Sequence, residues 1–421
     1  MMEEIRKRPF VRPLFAWITG IVLQVCFPLQ WPSVLAVMLV GAIALCYWVY
    51  RKKRRDPSYD LRWIWGALFM CVLVLLAIQV TALNEYRLTA PPAHDWLKEK
   101  ALSIQAIMIS RLDTLRLSDR EKSFLAMITV NYRQAAGWEL RSRFATIGTA
   151  HLLSVSGFHV GIVCSFLSAL FSMFPKRAFF HWLKHILLII GVWGFAYISG
   201  LSAPAVRAAT MLTIYLAGRM LYRRFDIYNT LAATAFCMLL YYPYYLFNVG
   251  FQLSFIAVFF IFYLQPRFSR LIEVRNPLLA VPWSVLTITV AAQIGVIFLC
   301  CYYFGEISTI FLFANLVLSL LATVLIPVTL TWMQLPPGVF ESSILQHCIE
   351  FLTKGFIWFV DGFSRIPGAT VPLRFDFVSL LCAYGMLGLL LCYFRSRRTW
   401  MLLTTMTILL GLICRELVFR Y

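Results

Sequence analysis

Charge is what this sequence has least of. Asp, Glu, Lys and Arg together make up 14% of its 421 residues, against about 25% in soluble globular chains. Hydrophobic residues reach 61% and the mean hydropathy is +0.77, which excludes an ordinary soluble enzyme. Disorder is excluded as well, because aromatic residues make up 16% of the chain and lie in long apolar runs. Acidic groups are the scarcer sign, 19 against 38 basic ones. The resulting charge of +19 invites a nucleic-acid reading, but that depends on where the charges lie. The 11 cysteines show no zinc-type spacing or disulfide framework, and none falls in 84–150. Most of them, such as Cys164, Cys237 and Cys300, fall in apolar runs and are expected to be small buried side chains. The first apolar run lacks an A-x-A-like cleavage site and reads as a retained span.

What the chain does have is a series of runs long enough to cross a bilayer core, for which roughly 20 apolar residues suffice. They fall at about 13–29, 31–50, 62–83, 151–174, 184–200, 204–222, 227–246, 248–265, 282–303, 308–333, 377–394 and 399–419. The expected fold is therefore all-α, a polytopic integral membrane protein of about 12–13 transmembrane helices. Its parts are read as amino-terminal helices over 1–83, an external helical segment over 84–150, a core over 151–335 and carboxyl-terminal helices over 336–421. Within the last part, 344–366 carries Glu350, Lys354 and Asp361. It either crosses or lies as a re-entrant or amphipathic helix, and crossing is favoured. Six segments (1–12, 51–62, 175–185, 219–226, 265–276 and 395–398) hold 22 of the 38 Lys and Arg residues. The positive-inside rule makes these cytoplasmic, with the amino terminus inside and the carboxyl terminus outside. Most of the +19 is thus an orientation signal.

Segment 84–150, with 10 basic and 7 acidic residues, is the one sizeable extramembrane part. Ser118 and Glu121 form a capping-box pattern. Upstream, Trp96, Leu97, Ala101, Ile104, Met108, Leu112 and Leu115 recur at helical spacing and predict a face packed on the core.

Polar groups inside membrane spans are costly and mark places to look for function. In 148–161, GTAHLLSVSGFHVG, His151 and His159 lie eight positions apart and are predicted to share one helical side. Ser154 and Ser156 stand beside them, and Gly157 and Gly161 form a small-xxx-small packing pair. The stripe either lines a path or hydrogen-bonds between helices. Two histidines with no carboxylate or thiolate between them make a poor metal site, so none is expected. In 199–209, SGLSAPAVRAA, Pro204 opens a helix and Arg207 falls in its first turn. A cation there meets the positive end of the helix dipole, which points to an anionic partner such as phosphate; the plain alternatives are snorkelling or pairing with Asp361 or Glu350. Asn248 and Gln252, one turn apart, and Gln293 and Asn315 on later spans add polar groups. Each serves as interhelical glue or as the lining of a shared aqueous path.

At these residues the chain resembles a known family. GTAHLLSVSGFHVGIV (148–163), SGLSAPAVRAATML (199–212), NVGFQLSFIAVFFI (248–261) and AAQIGVIFLCCYYFGEISTIFLFANLV (291–317) are similar, in order and spacing, to blocks of the ComEC-type competence channels. PGATVPL (367–373) fits the next landmark. The resemblance implies a DNA-uptake channel of the bacterial inner membrane that passes single-stranded DNA to the cytoplasm during natural transformation. On that reading His151, Ser154, Ser156, His159, Arg207, Asn248, Gln252, Gln293 and Asn315 lie along the substrate path, and aromatic side chains offer stacking surfaces for bases. Members often carry an external oligonucleotide-binding-fold domain and a metallo-β-lactamase-like domain, and this chain is expected to lack both. It is thus expected to be a channel and not an enzyme, with no cofactor. A separate external receptor or nuclease, a helicase-type cytoplasmic motor, membrane lipids and further copies of the chain are the expected partners. The alternatives are a secondary transporter or a membrane enzyme acting on a small anionic or lipid-linked substrate. No carboxylate stands at helical spacing to orient either histidine as a base.

Overall fold

The computed structural model describes residues 8–28, 32–55, 62–89, 96–132, 137–175, 177–221, 226–336 and 344–420. The fold is all-α, as the apolar runs require. Among the described residues sixteen α-helices follow one another. The first eight are α1 (Val11–Cys26), α2 (Pro32–Arg55), α3 (Arg62–Thr89), α4 (Trp96–Arg111), α5 (Asp119–Val130), α6 (Trp138–Thr146), α7 (Gly157–Leu170) and α8 (Ala178–Ile198). Then come α9 (Ala203–Met220), α10 (Ile227–Tyr241), α11 (Val249–Phe268), α12 (Pro277–Tyr303), α13 (Phe311–Gln334), α14 (Ile344–Ser364), α15 (Phe377–Ser396) and α16 (Thr399–Arg420). Six of these are long and apolar enough to span a bilayer among the described residues, and the apolar stretches of α1, α7, α10 and α16 are shorter. Exposed Phe, Leu, Val and Trp side chains on α1, α2, α8, α11, α15 and α16 are what a polytopic membrane protein presents to lipid.

Local chemistry fixes several helix starts. Side-chain oxygens of Asp226, Asn248, Asn276 and Asp376 accept backbone N–H groups at the starts of α10, α11, α12 and α15. The Ser118–Glu121 capping box opens α5 as predicted, with Ser118 N–H donating to Glu121 at 2.8 Å. A short antiparallel ladder, β1 (Glu306–Ser308) with β2 (Thr370–Pro372), ties the α12–α13 connection to the α14–α15 connection.

The largest core joins the predicted external segment to α7, α8, α9, α13 and α14. In the α4 stripe, Ala101, Leu112 and Leu115 are buried and Met108 packs against the core, whereas Trp96 and Leu97 stay exposed. Helix α14 doubles back along α13. Its inner face, including Ile349, Phe356, Ile357 and Val360, is buried, and Phe351 and Trp358 face outward. Phe356 meets Phe124 and Phe144 at ring-centroid distances of 4.7 and 6.2 Å.

Two of the three charges that made 344–366 ambiguous, Glu350 and Asp361, are engaged by the segment before α7 or by α14 itself, and Lys354 is exposed. Glu350 accepts Arg116 N–H at 2.8 Å, and Gln346 donates to Glu350 at 3.0 Å. Asp361 accepts from Arg120 at 2.6 and 3.0 Å and from Arg143 at 2.6 Å. Burial pushes the Asp361 carboxyl up, but hydrogen bonds from the two guanidinium groups outweigh it and leave its pKa below the usual value. Such a carboxylate stabilises the fold above the pKa of the unfolded chain, about 3.9, and that contribution fades as pH falls through the lower folded value. Acidification from pH 7 to 3 is therefore expected to lower the melting temperature of the purified protein, and an Asp361→Asn variant, already destabilised at pH 7, should lose less over the same range.

Candidate functional site

The segment from Gly148 to Gly161 is not one helix. Gly148 takes φ +73°, and a Cβ there would lie 2.8 Å from the Ser308 Cβ and 3.1 Å from the Phe311 Cβ, so the sharp turn and the close approach both need glycine. A 3-10 turn over Ala150–Leu153 follows, then extended backbone at Ser154 and Ser156, and α7 begins only at Gly157. This corrects the prediction of a continuous stripe carrying His151 and His159. The reason is local: the Ser156 backbone N–H, which would continue a helix, instead donates to His159 Nδ1 at 3.3 Å, with the Ser156 hydroxyl 3.1 Å from the same nitrogen. His159 thereby caps its own helix. With Nδ1 accepting, a neutral His159 carries its proton on Nε2. That atom is buried without a hydrogen bond among the described residues, in loose contact with the Leu152 backbone. His151 is exposed, 6.3 Å from the Phe311 ring, and reaches Asn315 and the Gly148 backbone.

The glycine packing pair is also corrected. A Cβ on Gly157 would stand 3.9 Å from Ala208, an ordinary contact, and one on Gly161 would meet nothing within 4 Å. Pro204, by contrast, occupies the first turn of α9 as predicted.

Arg207 is 4% exposed. Its Nη2 lies 3.4 Å from Ser254 Oγ on α11, Tyr245 is within electrostatic reach, and its Nε is buried with no partner among the described residues. Pairing with Asp361 or Glu350 is overturned, since Arg120, Arg143 and Arg116 engage those carboxylates. No carboxylate forms an ion pair with Arg207 among the described residues.

Two predicted path residues hold the structure together. Asn248 caps α11 through Phe251 N–H at 3.1 Å. Gln252 donates to Leu246 O at 2.9 Å and accepts from Tyr303 at 2.8 Å, joining α11 to the end of α12. Asn315 is buried; it donates to Thr289 Oγ1 at 2.8 Å and accepts from Ser319 at 3.2 Å. Gln293 is half-buried. Ser154 is half-buried in the extended link before α7.

The predicted residues thus form two linked groups. His151 and Asn315 meet where the 3-10 turn abuts α13, and His159 and Arg207 stand on α7 and α9, which touch at Gly157 and Ala208. The structure adds Thr289, Ser319, Ser202 and Gly250 to the predicted site residues, of which Ser202 lies inside the block that bears Arg207 and Gly250 inside the block that bears Asn248 and Gln252.

Comparison with known proteins follows the same blocks. The Competence protein family model matches residues 128–398. ComE operon protein 3 of Bacillus subtilis (strain 168) is 28% identical over 262 residues, covering 62% of this chain and 31% of that protein. An uncharacterized protein of Aquifex aeolicus (strain VF5) is 32% identical over 124 residues, 29% of this chain and 28% of that one. The chain therefore spans about a third of the length of these relatives. No solved structure matches. With the family model covering well over half of the sequence, including every polar block described above, the chain belongs to the Competence protein family.

Proposed function

We propose that this protein is a channel that carries single-stranded DNA across the bacterial inner membrane during natural transformation. The observation that carries the proposal is Arg207, a guanidinium buried at a helix start with no carboxylate beside it. A buried charge is retained at a cost of several kcal/mol, and a transported polyanion gives it a partner. Further support comes from hydrogen-bonding atoms left open nearby. Thr149 Oγ1, His159 Nε2, Ser202 Oγ and Ser308 Oγ, like Arg207 Nε, are buried without partners among the described residues. They belong to the first two family blocks or, for Ser308, abut Gly148. Such a lining suits a solvated strand in transit. The strand enters on the side of 84–150 and leaves among the basic cytoplasmic loops, drawn by a separate motor.

In this account the amino terminus is inside, the carboxyl terminus outside, and α13–α14 is a hairpin that stays on the outer side. The support is its contact with segment 111–148 at both ends. Ser308 and Phe311 pack on Gly148. Arg111 donates to the carbonyls of Met333 and Leu335, and Gln346 to that of Thr114 at 3.5 Å. Segment 111–148 holds 11 charged residues, and Asp113, Arg116, Asp119, Glu139 and Arg141 are exposed, so it does not suit hydrocarbon. A Leu335→Cys variant is expected to react with a membrane-impermeant maleimide added outside intact cells. Labelling seen only after permeabilisation contradicts the hairpin.

The function itself is tested with end-labelled DNA in a deletion strain. Surface-bound label is expected to persist and DNase-protected label to disappear, returning when the gene is restored. Normal protected label without the gene overturns the proposal.

A further inference from the structure

Three helices begin around Arg207. It sits in the first turn of α9 (18 residues). The first turn of α11 (20 residues) abuts its guanidinium: a Cβ on Gly250 would lie 3.2 Å from Nη2 and 3.7 Å from Nη1. The start of α7 (14 residues) reaches the same turn of α9 through Gly157 and Ala208. Each helix start carries a positive partial charge from its unpaired N–H groups. A guanidinium placed where α9 and α11 begin, with no carboxylate paired to it among the described residues, concentrates positive potential in a region of low dielectric. Neither packing nor an ion pair accounts for it.

The open donors point the same way. Arg207 Nε and Ser202 Oγ, the latter at the N-cap of α9, have no partner among the described residues. Asn248 Oδ1, which a Cβ on Gly250 would meet at the same 3.2 Å as Arg207 Nη2, is already engaged by Phe251 N–H. Gly250 leaves space where any larger residue would crowd the guanidinium, and backbone exposed in this way at a helix start is how proteins approach an anion closely.

We infer that the starts of α9 and α11, with Arg207 and Ser202, form an anion site that takes one phosphodiester group at a time. The inference rests on the DNA-uptake reading for its physiological ligand, but the site's chemistry is phosphate recognition whatever the source. A phospholipid headgroup is the other source of the same group. One phosphate held by charge-assisted hydrogen bonds in a bidentate geometry, with no base contact, gives a strand a resting point that ignores sequence. It also discriminates against uncharged polymers.

The full chain in lipid nanodiscs is titrated with fluorescent oligo-dT, with an oligomer of the same sequence bearing a neutral methylphosphonate backbone, and with inorganic phosphate as competitor. Oligo-dT is expected to bind and inorganic phosphate to weaken that binding, while the neutral oligomer should fail to bind. Arg207→Gln should weaken binding about tenfold or more, and Gly250→Ala should also weaken it. Gly161→Ala, where a methyl meets nothing within 4 Å, should bind as the parent does. Retention of phospholipid through detergent exchange by the parent but not by Arg207→Gln would identify the lipid headgroup as the occupant and still support the phosphodiester site. Equal binding of oligo-dT, phosphate and lipid by parent and Arg207→Gln overturns the site. The same variants in transformation separate the two claims. Lost phosphate binding with intact transformation leaves the site standing and removes it from the DNA route. Intact phosphate binding with lost transformation overturns the assigned anion role and leaves the uptake reading in place.

Discussion

Replacing Arg207 by alanine is expected to lower transformation by about 100-fold or more while leaving the amount of membrane-inserted protein unchanged. The first half follows from the value of a desolvated charged contact, about 2–5 kcal/mol when one partner is truncated, since each 1.36 kcal/mol is tenfold. The second half follows from what the residue touches. Removing a buried arginine normally strands its carboxylate, which costs about 3–5 kcal/mol. Among the described residues Arg207 has no carboxylate to strand and makes a 3.4 Å contact with Ser254, so its loss relieves a desolvated charge. Arg207→Lys should recover part of the activity, because an ammonium supplies charge without the planar fork. Immunoblots of membrane fractions alongside transformant counts test both halves. Wild-type transformation in Arg207→Ala removes the phosphate role.

Phe356→Ala is expected to have the opposite character, a large loss of stability with no direct effect on the polar groups. Phe124, Phe144 and Phe356 are all fully buried; the first two stack at 5.8 Å, and Phe356 closes the cluster from α14. Truncating a core phenylalanine costs about 3–5 kcal/mol through lost burial and the cavity left behind. Here the loss falls at the seam where α5 and α6 meet α14, so the α5–α6 layer should loosen before the rest of the bundle. The measurement is limited proteolysis of purified protein, with cleavage in 119–146 appearing first, together with a lower melting temperature. Trp358→Ala, two residues away on the exposed face, should change neither by a comparable amount. Equal protease resistance in Phe356→Ala and parent would show that the external segment is held by something other than this cluster.

The two variants mark what was legible in the sequence. Helices were legible because the apolar runs are long and few charges interrupt them, and the Ser118–Glu121 and Pro204 helix starts were legible because capping is a local event. The break before Gly157 was not. A period of 3.6 residues places His151 and His159 on one side only if the helix is continuous, and the Ser156–His159 contact that ends it is visible only as geometry. Gly157 and Gly161 have the spacing of a packing motif, yet no helix approaches closely enough to need them. Partners were the least legible. Arg120 and Arg143 lie 241 and 218 positions from Asp361, a pairing that no local pattern encodes, and it left Arg207 without the acids that had offered its plainest explanation. Helix α13, 24 residues long, has the length and hydropathy of a span, as its sequence indicates, and 44% of its apolar window is buried by protein, the largest share among the six such helices of the described residues. The net charge of +19 carries little of the functional reading, because 22 of the 38 basic residues lie in the segments predicted to be cytoplasmic, while the proposed role in DNA uptake rests on a single buried arginine.

The most direct test of the account is to catch the strand beside that arginine. DNA that carries thiol-reactive groups on scattered bases, which leaves every phosphate charged, is presented to cells expressing Ser254→Cys, at the atom 3.4 Å from Arg207, or Phe259→Cys, on the exposed face of the same helix. A covalent DNA adduct is expected with Ser254→Cys and not with Phe259→Cys, formed only while uptake proceeds. Uptake of the reactive DNA at normal rates with no adduct at position 254 would contradict the route.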